Sequence, residues 1–407
     1  MHDLNKNASP RVVGNSDRMP WLDVLRGVAI LLVLCHHLGL VAPVGNSPFY
    51  RCLYAVNCAG WAGVDIFFVL SGFLVSGILF RQFRETGRIR PVQFLIRRGF
   101  KIYPAFWLMI CVTLIVTGLA GQSVSMRKIL VELLFLQNYI HGIWTHTWSL
   151  AVEEHSYLGL CLLLTVLVRL NSNRKNPFAF IPTIVLVVML AVCLIRILNS
   201  REVDVRRIFL NNVFPTHLRC DTFLCGVLVG YWFHFCDQRF LKSCERLRWS
   251  YLFGGLVCLS PVLFWKFQTD RIVWTLLFSS NAVGGSFLVM WALGTRRPLG
   301  TLSSFVAMIG RHSYSIYLWH GLIVVNLLHW GFRTTKVPGG LYSFVPVYFF
   351  VTISSGILLS WLIERPSLYW RERLCPNDDR VPIHPVSERE NFANPIECVP
   401  QCTPTGA

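Results

Sequence analysis

Apolar residues occur in ten long runs along the chain. They lie at residues 22–42, 61–80, 102–120, 148–168, 178–198, 218–236, 250–267, 272–294, 306–329 and 341–363. Each run is close to the ~20 residues that an α-helix needs to cross the hydrocarbon core of a bilayer. The pattern therefore predicts an all-α, polytopic membrane protein with about ten transmembrane helices in one bundle.

The composition agrees with a membrane-embedded chain. Hydrophobic residues make up 54% of the 407 residues, charged residues only 14%, and the mean hydropathy is +0.50, whereas about a quarter of the residues of a soluble domain are charged. We expect a cytosolic N-terminal segment at 1–20 and a transmembrane domain at 21–366. Residues 367–407 are predicted to be a disordered cytosolic tail, since the end of the chain is rich in Pro, Asn, Asp and Glu and has no apolar period.

The net charge of +17 is explained by membrane topology, so no nucleic-acid partner is expected. If both termini are cytosolic, 25 of the 38 Lys and Arg residues fall on inner segments and 10 on outer ones. This asymmetry follows the positive-inside tendency. An outer cluster goes against it, at Arg201, Arg206, Arg207 and Arg219.

The first run carries ionisable residues at both ends, with Asp23 and Arg26 near its start and His36 and His37 near its end. Such groups are costly in a membrane and indicate a functional site by default. Arg26 and His37 are eleven residues apart, which is close to three helical turns, so they project from one face about 16 Å apart along the axis. His36 points about 100° away.

Acidic residues lie in the second and fourth runs. Asp65 is near the outer end of the second, and Glu153 and Glu154 follow Trp148 and Ser149 at the outer start of the fourth, at the depth predicted for His37. A carboxylate near an imidazole can orient a general-base histidine and stabilise its charged form. Two acidic residues at a membrane interface would give the same pattern.

A basic cluster, Arg97, Arg98 and Lys101, leads into the third run. Cations at a helix start can hold phosphate oxygens, although a positive-inside anchor has the same composition. His320 lies well inside the ninth run, where an interfacial belt explains it less easily than it explains Trp319. No cysteine pair has convincing zinc-ligand spacing, so no metal is expected.

Seven motifs in this order resemble the acyltransferase-3 family of integral-membrane acyltransferases, over about residues 20 to 370. They are Leu22-Asp23-x-Leu25-Arg26-Gly27 followed by His37, Gly63-Val64-Asp65-x-Phe67-Phe68-x-x-Ser71-Gly72-Phe73, Arg97-Arg98 with Ile102 and Pro104, Trp148-Ser149-Leu150-x-x-Glu153 with Tyr157, Arg219-x-Asp221 before Gly226, Ser313-Tyr314-Ser315-x-Tyr317-Leu318-Trp319-His320, and Glu364-Arg365-Pro366.

The resemblance implies transfer of an acyl group, usually acetyl, from acyl-CoA to a hydroxyl of a surface or lipid-linked glycan. The family's essential basic residue and histidine fall on Arg26 and His37, so His37 is expected to be the catalytic base. Glu153 or Asp65 would stabilise its imidazolium. Acyl-CoA is expected as a donor substrate, with no permanently bound cofactor.

Contacts to the phosphates of acyl-CoA are expected from Arg26, Arg97, Arg98 and Lys101. Lys101 stands where the family usually has Arg and keeps the charge but loses the bidentate fork. His155 stands where Gln is common. Residues expected to bind substrate are Trp148, Ser149, Arg219, Asp221, Tyr317 and His320.

The expected partners are acyl-CoA, a carbohydrate or glycolipid acceptor and the lipid bilayer, and the expected location is a bacterial inner membrane. A transporter or flippase of a lipid-linked sugar would also use buried charges and ten spans, without consuming acyl-CoA. A membrane sensor or assembly partner is a third class, but it has no need of both a midspan histidine and matched carboxylates.

Overall fold

The computed structural model describes residues 19–38, 48–202, 204–265, 267, 269–325 and 341–376. Within these ranges every regular element is a helix: α1 (Pro20–His36), α2 (Pro48–Ala59), α3 (Ala62–Thr86), α4 (Pro91–Leu119), α5 (Met126–Leu133), α6 (Trp148–Leu170), α7 (Ile181–Asn199), α8 (Val205–Val213), α9 (Cys220–Phe235), α10 (Asp237–Arg246), α11 (Arg248–Leu259), α12 (Phe278–Gly294), α13 (Thr301–Arg311), α14 (Ser313–Trp319), α15 (Leu341–Leu359) and α16 (Arg365–Leu374). Short 3₁₀ turns occur at Thr145–Thr147, Thr216–Leu218 and Ser260–Leu263, and π-helical turns at Val273–Leu277, His320–Val325 and Ser360–Glu364.

Six helical stretches in the described ranges are long and apolar enough to cross a bilayer: Ala62–Thr86, Pro91–Leu119, Thr145–Leu170, Ile181–Asn199, Val273–Gly294 and Val345–Leu374. They coincide with six of the ten apolar runs. The other four runs contain shorter helices, such as the 17 residues of α1 and the 16 of α9. The helical class and several membrane-spanning helices are thus confirmed, and a total of ten spans stays a prediction.

Helix α16 extends to Leu374, into the segment predicted to be a disordered tail. Residues 377–407, and 1–18 of the predicted N-terminal segment, lie outside the described residues.

Proline and glycine set the ends of several helices. Pro20 and Pro91 occupy the first turns of α1 and α4, where the missing N–H has no intrahelical partner to lose. Gly87 ends α3 with a left-handed φ of 68°, and its N–H is bonded to the Phe83 carbonyl. This is a conformation that glycine adopts without a Cβ penalty.

Small residues let the helices around α1 approach closely. A Cβ at Gly27 of α1 would collide with the backbone oxygen of Val306 on α13, and a Cβ at Gly310 would collide with that of Asp23. Such small residues favour close helix packing where lipid provides no hydrophobic drive. Since α2, α3, α12 and α14 also pack on α1, the polar residues of α1 face protein.

Candidate active site

Two cavities flank α1, one beside each half of the helix. The larger, of about 620 Å³, is lined by Leu22, Asp23 and Arg26 of α1, and the smaller, of about 170 Å³, by Val33, His36 and His37. The two residues of the predicted essential pair therefore lie in different cavities, because Arg26 lines the larger and His37 the smaller.

The larger cavity is strongly basic. Among the described residues its wall holds three acidic side chains against six basic ones, which are Arg26, Arg81, Arg97, Arg98, Lys101 and Arg371. The structure thus brings together the four cations predicted to contact a phosphate-bearing donor. It adds Arg81 and Arg371, which motif analysis missed because each lies outside the family motifs.

Arg97 and Arg98, two of these cations, are each held by neighbouring residues. Arg97 forms an ion pair with Glu372 of α16 at 2.8 Å and also donates to the Cys375 carbonyl. The guanidinium of Arg98 lies 5.6 Å from the ring centre of Tyr157 and 5.7 Å from that of Phe94, within the range of cation–π attraction. Both arginines project from α4, and these contacts fix their positions beside the cavity.

Glu153 lines the larger cavity with Arg26, and the described contacts do not bring it to His37. Its Oε2 accepts a hydrogen bond from the Tyr157 hydroxyl at 2.8 Å, and the Ser71 and Tyr157 hydroxyl oxygens are also 2.8 Å apart. Trp148 lines the smaller cavity, and Glu153 lies five residues, or about 7.5 Å, further along α6. The prediction that Glu153 lies at the same depth as His37 did not take account of these five residues.

Asp65 is also committed to other partners. It is fully buried, forms an ion pair with Arg219 and accepts a hydrogen bond from the Asn281 amide at 2.8 Å. The predicted role of Asp65 beside His37 therefore has no counterpart in its contacts. A structural role, neutralising a buried guanidinium, fits them.

Arg219 joins this ion pair to the smaller cavity, whose wall it lines. It is 1% exposed, and its guanidinium lies 3.7 Å from the ring centre of Phe278 and 5.7 Å from that of Trp148. Among the described residues its Nε and Nη1 have no hydrogen-bond partner. Buried donors of this kind are normally satisfied, so they are available to an acceptor atom of a bound molecule.

Asp221, two residues further on, belongs to a separate buried ion pair. Its carboxylate accepts from Arg196 at 2.8 and 3.0 Å, a bidentate arrangement in which both residues are fully buried. Ser279 also accepts from Arg196 at 3.1 Å. This ion pair ties α7 to α9, and the predicted substrate contact of Asp221 stays a prediction.

The smaller cavity is lined by aromatic and histidine side chains: His36, His37, Trp61, His146, Trp148, Phe214, Phe267, Phe278 and Tyr317. His37 follows the last residue of α1, and its Nδ1 lies 2.9 Å from the Val33 carbonyl. A carbonyl only accepts, so Nδ1 carries the hydrogen and Nε2 carries the lone pair of a base.

The other predicted substrate residues surround this cavity. Tyr317 donates to the His146 carbonyl at 2.5 Å and is bonded to the Ser149 hydroxyl at 2.5 Å. The ring centre of His320 is 4.7 Å from that of His37. Trp148, Ser149, Arg219, Tyr317 and His320 are therefore brought together around one end of α1.

Sequence reasoning missed two residues of this region. His146 lines the smaller cavity, two residues before the Trp148 motif, and that proximity was the available signal. Asn281 holds Asp65 from α12, and nothing in its local sequence distinguishes it from a packing residue. Arg196, the partner of Asp221, was also given no role, although a single charged residue within an apolar run is a general indication of a functional or structural site.

Comparison with known proteins identifies the family of the chain. The family model described as an acyltransferase domain, the acyltransferase-3 model, matches residues 19–365. O-acetyltransferase OatA of Staphylococcus aureus, from strains NCTC 8325 / PS 47 and COL, is 26% identical over 348 residues, which cover 79% of this chain and 52% of the relative. The chain thus spans about half the length of these relatives. No solved structure matches it. Because the family model covers most of the chain, the protein belongs to the acyltransferase-3 family.

Proposed function

We propose that this protein is a membrane O-acetyltransferase that moves an acetyl group from acetyl-CoA to a hydroxyl of a surface or lipid-linked glycan. The observation that carries the proposal is the placement of a basic cavity and a histidine-lined cavity along one helix, with Arg26 in the first and His37 in the second. The O-acetyltransferase names of the relatives support the choice of acetyl and of oxygen as the acceptor atom.

The larger cavity would receive the donor. Coenzyme A carries anionic phosphates, and charge-assisted hydrogen bonds from Arg97, Arg98 and Lys101 would hold them. Lys101 would act as a point charge and the arginines as planar forks. With both termini in the cytosol, as the positive-inside tendency favours, this cavity would face the cytosolic pool of acetyl-CoA.

His37 would act as the general base. A hydroxyl is a poor nucleophile at neutral pH and needs a base within hydrogen-bonding reach. Nε2 of His37 takes the hydroxyl proton while the oxygen attacks the thioester carbonyl. The C–S bond then breaks, and the coenzyme A thiolate leaves with the proton that His37 returns to it, which restores the neutral base.

The smaller cavity would bind the acceptor. Its aromatic side chains offer large rigid faces to the apolar side of a sugar ring, and the unpartnered N–H groups of Arg219 would bind an acceptor oxygen. Under the same topology this cavity lies toward the outer face of the inner membrane.

The test is acetyl transfer by purified protein in nanodiscs, with radiolabelled acetyl-CoA and a panel of short oligosaccharides and extracted glycolipids. His37→Ala should lower transfer about 10²-fold or more, since general-base catalysis contributes at least that much. His155→Gln is the matched control, because His155 lies outside both cavity walls and bonds Thr216 instead. Near-normal transfer by His37→Ala would refute the assignment.

The donor site has its own test. Replacing Arg97 and Arg98 with Gln should raise KM for acetyl-CoA about 10-fold or more through the loss of charge-assisted bonds. Arg169→Gln is the control, because Arg169 is an exposed cation outside the cavity wall. An unchanged KM would mean that the pair only anchors topology. Glycan movement without acetyl-CoA consumption would instead favour a transporter.

A further inference from the structure

The described contacts of His37 include no carboxylate, although a base that takes up a proton acquires a positive charge. Glu153 is bonded to Tyr157 in the wall of the larger cavity, and Asp65 is paired with Arg219. The Val33 carbonyl accepts the second ring hydrogen of His37, but a neutral carbonyl does not supply the negative charge with which the aspartate of a triad stabilises an imidazolium. The neighbour observed beside the ring of His37 is another imidazole.

His320 is that neighbour, and it has an unused acceptor. It is 1% exposed, and its ring centre is 4.7 Å from that of His37. Nδ1 donates to the Tyr317 carbonyl at 2.5 Å, so the lone pair of the neutral ring is on Nε2. Among the described residues this Nε2 is buried and has no hydrogen-bond partner.

The fold keeps His320 in this position from both sides. His320 begins the π-helical turn His320–Val325, and such turns are frequent at functional sites. The ring centre of His146 lies 4.9 Å from that of His320 on a further side, with Nε2 donating to the Leu318 carbonyl at 3.2 Å. A Cβ at Gly321 would collide with the His146 ring, so glycine is needed for this packing.

We propose that His320 is a positioning residue that shares the proton taken up by Nε2 of His37, as an acceptor that none of the described carboxylates supplies. In the resting state Nε2 carries a lone pair on both rings, so no hydrogen bond can join these two nitrogens. Once His37 takes the hydroxyl proton it becomes a donor, and an N–H···N bond to Nε2 of His320 can form. This stabilisation appears as the reaction proceeds and therefore accelerates it. The inference rests on the proposed function.

Several other titratable or charged groups face His37 and must be considered in any pH profile. His36 has its ring centre 5.3 Å away but donates Nδ1 to the Asn57 carbonyl. Tyr317, Arg219 and His146 complete the cavity wall. Of these groups and His320, only His320 combines ring contact with His37 and a buried ring nitrogen that has no partner among the described residues.

Three variants separate proton sharing from packing. His320→Leu removes the acceptor and should lower kcat about 10- to 100-fold, the worth of one hydrogen bond to a charged group, with little change in either KM. Because His37 then holds its proton less firmly, the acid limb of kcat should move to lower pH. His320→Gln restores an acceptor oxygen and should recover most of both effects, and His155→Gln should change neither.

A second readout does not depend on transfer. In ¹⁵N-histidine-labelled protein in nanodiscs, with His37 signals assigned by loss in His37→Gln, the two rings should titrate as a coupled pair in two steps. In His320→Leu, His37 should titrate in one step. An inactive wild type with coupled titration would overturn the proposed function alone. An active wild type whose kcat profile and His37 titration are unchanged by His320→Leu would overturn this inference alone.

Discussion

Replacing Asp65 with Asn should destabilise the protein strongly, because it leaves the buried guanidinium of Arg219 without a countercharge. Asp65 and Arg219 are 0% and 1% exposed, and breaking one partner of a buried pair costs about 3–5 kcal/mol. The Phe278 ring, 3.7 Å from the guanidinium, is in contact with it in both proteins and therefore does not offset this loss. The expected loss of stability is therefore about 3–5 kcal/mol.

The assay is thermal unfolding in detergent micelles with an exposed ion pair as control. Asp204 and Arg207 are 3.6 Å apart with side chains 53% and 70% exposed, so Asp204→Asn, which preserves the helix cap, should cost under about 1 kcal/mol. The double variant Asp65→Asn with Arg219→Gln removes the orphaned charge and should recover more than half of the loss. If Asp65→Asn and Asp204→Asn have the same melting temperature, burial does not make the Asp65–Arg219 pair important for stability. Asp65 is then again open to a catalytic role.

Two further predictions concern the scaffold. Burial raises the pKa of Glu132 above its ordinary value, so its stabilising contribution is present at acidic pH and is lost as pH rises through the raised value. Glu132→Gln should remove this dependence from melting midpoints measured against pH, and a parallel slope would contradict it. Gly310→Ala should cost about 1–3 kcal/mol in thermal unfolding, because its Cβ meets the Asp23 carbonyl. Gly159→Ala, which meets nothing within 4 Å, is the control, and equal melting would contradict the packing argument.

Features that depend on short stretches of sequence were predictable. The length of each apolar run predicts a helix without reference to the rest of the chain, and six runs form helices long enough to span a bilayer. The basic cluster in the wall of the larger cavity was predictable for the same reason, since Arg97, Arg98 and Lys101 lie within five residues of one another on α4. Local charge and local helix geometry were sufficient there.

Features that depend on which helices are neighbours were not predictable. Asp65 finds Arg219 at a separation of 154 residues and Asn281 at 216, and helical periodicity gives a face and a depth but no partner. Glu153 shows the same limit. Its depth was predicted from the start of an apolar run, whereas the 3₁₀ turn and Trp148 occupy that level and Glu153 lies deeper on α6.

The separation of the two cavities has a consequence for the proposed chemistry. Arg26 and His37 lie about 16 Å apart along α1, so phosphates held at the first would have to be linked to a thioester near the second by the extended arm of the donor. On α6, Trp148 lines the smaller cavity and Glu153 the larger. Ser149 lies between these two residues in the sequence, and its hydroxyl is bonded to that of Tyr317 on α14. A narrow partition at this point would keep the water of the donor side away from the activated acceptor, and exclusion of water protects a thioester from hydrolysis. Such a partition would also explain why the described contacts of His37 include no carboxylate, since Glu153 lines the larger cavity together with the cations.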